Sequence, residues 1–335
     1  MKSMVGRLKN AFLSGLAWVM LLSTFQYLSK GQTNDFTTTN KQPFDITVLS
    51  DYYRKFNDSD MQKMFEGSGE QKTLSDDTSD LEKKYMRNLA SVFSVGFYTN
   101  EFGSNYTEIN CGSGFYLNEK GFLLTSAHVL SGKKRCNVAL SFIDRKYPVL
   151  SLLDIVAYSK SKDLALCLAN ESTNFTGLSF PNFVKGDLHN GDSIYTISLQ
   201  YKPLTVTNDL FRLYPINEKI LTDPFEVLPL DFKKNGELIN INHGETLYRL
   251  AISHSRGEVD DTAKLIFTKE IKAYPDLVSL IVKSEQGDSG KIVFNGRGEV
   301  AGILFLGDPE SNRGAMMPSK VLREFLKAYQ NYNSK

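Results

Sequence analysis

The 335-residue chain reads as an all-β protein, a barrel or sandwich closed by one C-terminal helix, and three observations lead there. First, from Tyr85 onward, short runs of Val, Phe, Tyr, Leu and Ile are broken at close intervals by Gly, Asn, Asp or Pro, which is strand-and-turn texture. Second, the segment after Pro318 places Val321, Leu322, Phe325, Leu326 and Tyr329 at helical spacing, which predicts an amphipathic helix over 318–331 docked on the strands. Third, 41% hydrophobic and 23% charged residues supply a globular core and exclude collagen, coiled coil and wholesale disorder.

The elements follow in order. Lys2, Arg7 and Lys9 precede an uncharged stretch from Asn10 to Ser29, so residues 1–30 have the form of a signal peptide or a signal anchor. The apolar run is short for a membrane span, yet no small-x-small cleavage site follows it, and both readings stand. As an anchor it would tether the chain through residues 11–28 and export the rest. Residues 31–84 turn to Thr, Asn, Asp, Ser and Lys and read as a polar linker or propeptide, with a short helix weighed for 51–65 and a flexible run at 66–80. Residues 85–335 then form the folded unit. Its predicted strands are 90–99, 114–117, 122–125, 136–142, 155–158, 164–168, 193–198, 246–253, 263–267, 278–282, 291–294 and 300–305.

Charge and cysteine usage narrow the function. With 39 Lys and Arg against 38 Asp and Glu, no whole-chain electrostatic footprint calls for nucleic acid. Three cysteines cannot build a disulfide scaffold. His189, His243 and His254 lack metal-ligand spacing with Cys or carboxylate partners, so no metal or cofactor is expected.

Three segments carry candidate chemistry. Gln286-Gly-Asp-Ser-Gly290 has glycines on both sides of Ser289, which permits a tight turn that exposes the hydroxyl and aims backbone N–H groups at a developing oxyanion. On its own the string is also an ordinary turn. Upstream, Thr125-Ser-Ala-His128-Val ends a predicted strand with an imidazole that can reach across a cleft as general base. Asp163-Leu-Ala-Leu places a carboxylate at a strand entry, where it can hold the imidazole tautomer.

Together these segments resemble the chymotrypsin-fold, trypsin-like serine peptidases, most closely the HtrA/Deg-type branch. The order His, Asp, Ser matches, with separations of 35 and 126 residues. The resemblance spans roughly Ala90 to Leu326 and is specific at the motifs but weak between them. It implies two six-stranded antiparallel barrels, the first about 88–180 and the second about 185–317, followed by the helix at 318–331. It further implies Ser289 as nucleophile, His128 as general base and then acid, Asp163 as orienter, and the N–H groups of Gly287 and Ser289 as an oxyanion hole. The stretch Gly302 to Gly307, with Ile303 and Leu304, is implied to pair with the substrate backbone, and Gln286 to line the site.

The sequence departs from that pattern in several places. Gln200 to about Glu245 is longer than the corresponding connection and reads as a surface insertion. Only 46 residues follow Ser289, too few for the PDZ module usual in that branch. No activation sequence that would release an N-terminus to pair with Asp288 is evident near Ala90. Lys283, six residues before the nucleophile, would sit at the base of the primary specificity pocket and favour an acidic substrate residue, or else snorkel to solvent. Cys111 and Cys136 bracket His128 at a separation of 25 residues. A bridge between them would contribute roughly 3 kcal/mol, and whether it forms is left open. The expected function is an exported serine endopeptidase acting on proteins or peptides. The alternative is a catalytically silent relative that binds peptides or partners; oligomerisation is open.

Overall fold

A computed structural model describes residues 37–38, 45–49, 56, 58–66, 79–99, 105–130, 135–141, 149–169, 174–203, 230–232, 239–243, 246–262, 267–285 and 287–332. The predicted leader lies outside them. No helix among the described residues is long and apolar enough to cross a membrane.

The elements run in chain order: β1 (Thr37–Thr38), β2 (Thr47–Val48), α1 (Asp58–Glu66), α2 (Ser79–Tyr85), β3 (Leu89–Thr99), β4 (Asn105–Tyr116), β5 (Phe122–Ser126), β6 (Arg135–Ser141), β7 (Val149–Ser159), β8 (Leu164–Ala169), β9 (Ser193–Pro203), β10 (Leu230–Phe232), β11 (Ile239–His243), β12 (Thr246–Val259), α3 (Thr268–Ala273), β13 (Val278–Ile281), β14 (Ile292–Asn295), β15 (Val300–Asp308), β16 (Arg313–Pro318) and α4 (Ser319–Asn331). All pairings between these strands are antiparallel. The first sheet runs β7-β6-β3-β4-β5-β8 and closes on itself through β7–β8; the second runs β12-β13-β16-β15-β14-β9 and closes through β12–β9. These are the two six-stranded barrels that the resemblance implied.

Strand alternation explains how both faces are filled. In β8, Ala165, Cys167 and Ala169 point into the first barrel with Val92, Leu123 and Ala139. Leu164, Leu166 and Leu168 point out, into a second layer of core that also takes in Phe294, Ile303 and the α4 residues Leu322 and Phe325. Small residues inside and large ones outside suit a narrow lumen wrapped by other elements. The second barrel has its own interior of Ile194, Leu280, Val293, Ala301, Leu304 and Met316. α4 buries Val321, Leu322, Phe325, Leu326 and Tyr329, the face predicted for it.

The strand predicted over 263–267 falls mostly on 263–266, which lie outside the described residues; Phe267 leads into the helix α3. The Gln200–Glu245 segment supplies the end of β9 and the short strands β10 and β11, which extend the second sheet from β12.

The described parts of residues 31–84, the segment read as a polar linker or propeptide, and Tyr85 that follows them pack on the body of the protein. Tyr85, at the end of α2 and fully buried, stacks on Phe294 of β14 at 5.0 Å and meets Phe115 of β4 edge-on at 5.7 Å, so it is a wedge between the barrels. Burial pushes its phenol pKa well up. Phe56 lies 4.3 Å from Phe122 and 6.0 Å from Tyr329 of α4. Val48 pairs with Ala157 of β7, and Asp60 accepts a buried hydrogen bond of 3.0 Å from Asn118. The segment straps the first barrel to the C-terminal helix. Its few large anchors do this, while the polar residues between them give the composition of a linker.

Candidate active site

His128 and Asp163 are brought together by strand pairing. β5 and β8 are neighbours with Ser126 opposite Leu164, so the residues just past the end of one and just before the start of the other must meet. His128 sits in the short 3-10 turn Ala127–Leu130 that follows β5. Its Nδ1 lies 2.6 Å from Asp163 Oδ2, and its backbone N–H donates to Asp163 Oδ1 at 2.8 Å. Both carboxylate oxygens are therefore spent on one residue. Asp163 also has φ of +51°, a left-handed conformation that aspartate tolerates better than most residues, and its carbonyl accepts the N–H of Ala127 at 3.0 Å. The carboxylate is buried, whereas the imidazole is 46% exposed, which leaves Nε2 as the ring atom that Asp163 does not engage.

Ser289 comes from the other barrel, on the turn before β14. The turn is docked onto the first barrel through backbone: the N–H of Ser113 in β4 donates to Ser289 O at 2.7 Å, and Ser113 Oγ donates to Gly287 O at 3.0 Å. Gly290 makes the close approach possible. A Cβ there would lie 2.1 Å from Ser113 O and 2.7 Å from Thr125 Oγ1, and its φ is +85°. Gly287, at φ +91°, gives the turn its other left-handed corner. Among the described residues, the N–H groups of Gly287 and Ser289 meet no backbone acceptor, whereas those of Asp288, Gly290 and Lys291 donate to Glu285, Leu304 and Asp288. The Ser289 hydroxyl donates to the carbonyl of Phe305 at 3.4 Å, and the Phe305 ring lies edge-on to the His128 ring at 5.9 Å. Phe305 thus touches both halves of the site. Across the same seam, Lys162, beside Asp163, forms an ion pair with Asp276 of the second barrel.

The sequence matches the trypsin-like peptidase domain over residues 112–303, which is more than half of the chain and contains all three of these residues. The chain belongs to the trypsin-like peptidase family. Among solved structures it is similar to a serine endoprotease from Yersinia pestis, with 14% identity, a TM-score of 0.46, and coverage of 77% of this chain and 68% of that one. A search of curated proteins finds no sequence match.

Other predicted site residues are placed differently. Gly302 and Ile303 are not free to pair with a substrate, because β15 is hydrogen-bonded on both sides there: Gly302 faces Val293 of β14 and Pro318 of β16, and Ile303 faces Ile292 and Met317. Leu304 is likewise engaged, its N–H by Lys291 O at 2.7 Å and its carbonyl by Gly290 N–H at 2.8 Å. β14 begins at Ile292, so the strand beyond Leu304 outruns it. Leu306, Gly307 and Asp308 pair only with β16 among the described residues. Among the described residues, Phe305–Asp308 thus form an open edge of this trypsin-like domain.

Lys283 is exposed and sits 3.6 Å from Glu285, so its ammonium is solvated and does not form the base of a buried pocket. The acidic preference loses its basis. Ser284 is the buried residue of that stretch, its hydroxyl 3.4 Å from Arg313 O. Gln286 lies outside the described residues. Cys111 is a free thiol. Its strand β4 and the strand β6 carrying Cys136 flank β3 on opposite sides, with Cys111 opposite Phe93 and Cys136 opposite Val95. Two strand spacings, about 9.5 Å, exceed the roughly 7 Å limit between Cα atoms of a bridge. Burial pushes the Cys111 thiol up to about 12, which keeps it protonated and unreactive.

Sequence reasoning missed Ser113 and Tyr274, whose ring packs on Phe305 at 4.7 Å, and it included Phe305 only as part of the stretch Gly302 to Gly307. Hairpin counting could have singled out Phe305. The turn around Gly296–Gly298 sets Ile292 opposite Ile303, so residues from 305 on must pass the Ser289 turn.

Proposed function

We propose that this trypsin-like peptidase is an exported serine endopeptidase working through Ser289, His128 and Asp163. The observation that carries it is the 2.6 Å contact of Asp163 with His128 Nδ1, which fixes the tautomer whose Nε2 can accept a proton. A substrate strand adds to the open edge Phe305–Asp308, which brings its scissile carbonyl to Ser289. Ser289 Oγ bonds to the carbonyl carbon as its proton passes to His128 Nε2, and the oxyanion is received by the N–H groups of Gly287 and Ser289. Collapse expels the amine, which takes the proton from Nε2. Water then attacks the acyl-enzyme ester with His128 as base, and Ser289 recovers its proton as the acid product leaves. Asp163 stabilises the imidazolium without taking a proton itself.

Export rests on the basic flank and the uncharged stretch of residues 10–29. The test uses the full-length protein and a fluorophosphonate probe, beside Ser289→Ala and His128→Ala. Labelling that needs both residues is expected, together with cleavage of internal bonds in a peptide library. A folded wild-type protein that does not label overturns the proposal in favour of a partner-binding relative.

A further inference from the structure

Behind the nucleophile lies a charge pair that the steps above do not use. Asp288 and Lys291 stand on either side of Ser289 and Gly290, yet their side chains are 3% and 1% exposed, with Lys291 Nζ 3.4 Å from Asp288 Oδ1. Strand parity puts the lysine there. Lys291 is two residues before Val293, which lines the interior of the second barrel and pairs with Thr196 of β9. The lysine therefore enters the lumen from its end. That end is polar: Nζ donates to Ser253 Oγ at 3.3 Å, and Thr196, Ser198 and Gln200, on one face of β9, carry buried polar atoms with no hydrogen-bond partner.

Asp288 in turn closes the nucleophile turn. Its Oδ2 accepts the N–H of Glu285 at 2.7 Å. Its own N–H donates to Glu285 O at 3.1 Å, and its carbonyl accepts the N–H of Lys291 at 2.8 Å. Its chain neighbours on either side, Gly287 and Ser289, carry the two N–H groups that meet no backbone acceptor among the described residues. A carboxylate stripped of its cation does not stay buried; it swings towards water or takes up a proton, and the turn goes with it.

We infer that Lys291 is the positioning residue of the oxyanion turn: its ammonium fixes Asp288, and Asp288 holds the Gly287 and Ser289 N–H groups where an oxyanion is received. The cation comes from within the same turn of the chain, so the site is assembled without a cut that frees a new amine. This inference rests on the serine-peptidase reading.

The experiment measures saturable fluorophosphonate acylation and melting temperature of the full-length protein as wild type, Lys291→Met, and the double variant Lys291→Met with Asp288→Asn. The amide oxygen introduced by Asp288→Asn can still accept the Glu285 N–H, and the double variant leaves no unpaired buried charge, so its fold is kept. It is expected to lose at least about tenfold in maximal acylation rate, with apparent probe affinity within about threefold of wild type and a similar melting temperature. Lys291→Met is expected to lose about 100-fold or more, through acylation or through unfolding. Intact mass of the labelled wild-type protein is expected to show an uncut chain from residue 37 to the C-terminus. A folded double variant that acylates within threefold of wild type overturns the positioning role. Labelling confined to a chain cut within 37–335 overturns assembly without a cut. Wild-type protein that never labels fails the peptidase reading instead.

Discussion

In the first barrel, the side chains proposed as base and orienter are held by direct contact with each other; in the second, the proposed nucleophile is held through its backbone. His128 and Asp163 stand at the ends of two paired strands, and two hydrogen bonds between them, 2.6 and 2.8 Å long, fix the imidazole. Ser289 has a 3.4 Å hydroxyl contact, but its turn is clamped by Ser113 from across the seam and by the buried Asp288–Lys291 pair from below. The first arrangement fixes a ring and a tautomer. The second fixes peptide N–H groups and leaves the hydroxyl able to turn. A general base needs the former, and an oxyanion site with a mobile nucleophile needs the latter.

The sharpest way to break this contrast is Asp163→Asn. An amide there still accepts the His128 backbone N–H, but it presents N–H to Nδ1 and drives the proton to Nε2, the atom that must be a base. The acylation rate should fall on the order of 10⁴-fold, equivalent to about 5.5 kcal/mol on the barrier, with the fold retained. Acylation kinetics beside a thermal melt check this. Near-normal acylation would show that the ring is held by other contacts.

Gly290→Ala tests the backbone clamp in the second half. The new methyl would meet Ser113 O at 2.1 Å in a left-handed conformation, so the turn must leave the first barrel. A stability loss of about 3–5 kcal/mol is expected, together with loss of acylation in whatever fraction remains folded. Urea unfolding followed by intrinsic fluorescence measures the first, and the labelling rate per folded molecule the second. A melt unchanged from wild type would mean that the docking is looser than the Ser113 contacts imply.

A third substitution separates scaffold from site. Phe56 is 2% exposed and joins Phe122 to Tyr329, far along the chain from the reacting residues. Phe56→Ala should cost about 3 kcal/mol through lost burial and a cavity, lowering the melting temperature while leaving acylation per folded molecule unchanged. A loss of activity without a loss of stability would place the strap in the catalytic machinery, against the division drawn above.

What the sequence revealed follows the same division. The meeting of His128 and Asp163 was legible because strand pairing brings two short local motifs together, and the tight turn at Ser289 was legible from its flanking glycines. The two barrels and the buried face of α4 came from local periodicity and the resemblance. Ser113 was not legible, since nothing in Gly112-Ser-Gly114 indicates which distant carbonyl its N–H and hydroxyl will clamp. Lys291 reads as a surface residue until strand parity turns it inward. The strap was missed because Ile46, Val48, Phe56, Met64 and Phe65 are sparse anchors in a polar segment, and burial depends on a few contacts more than on average composition. The stretch Gly302 to Gly307 was read as one open edge, whereas Gly302 and Ile303 are paired on both sides, because register is set by where β14 begins, which is a tertiary fact.

The smallest effect should come from the ion pair that crosses the seam beside Asp163. Lys162 and Asp276 are 24% and 40% exposed, so solvent and salt screen them, and Lys162→Ala should cost no more than about 1 kcal/mol. The backbone of the β7–β8 turn is held independently, by Asp163 O to Ala127 N and by Lys160 O to Asp163 N, so the carboxylate should keep its place on His128. Acylation within about threefold of wild type, with a stability difference that shrinks as salt is raised, is the expected result. If Lys162→Ala instead reduced acylation as strongly as Asp163→Asn, the first half of the site would also depend on support across the seam, and the contrast between the two barrels would fail at that point.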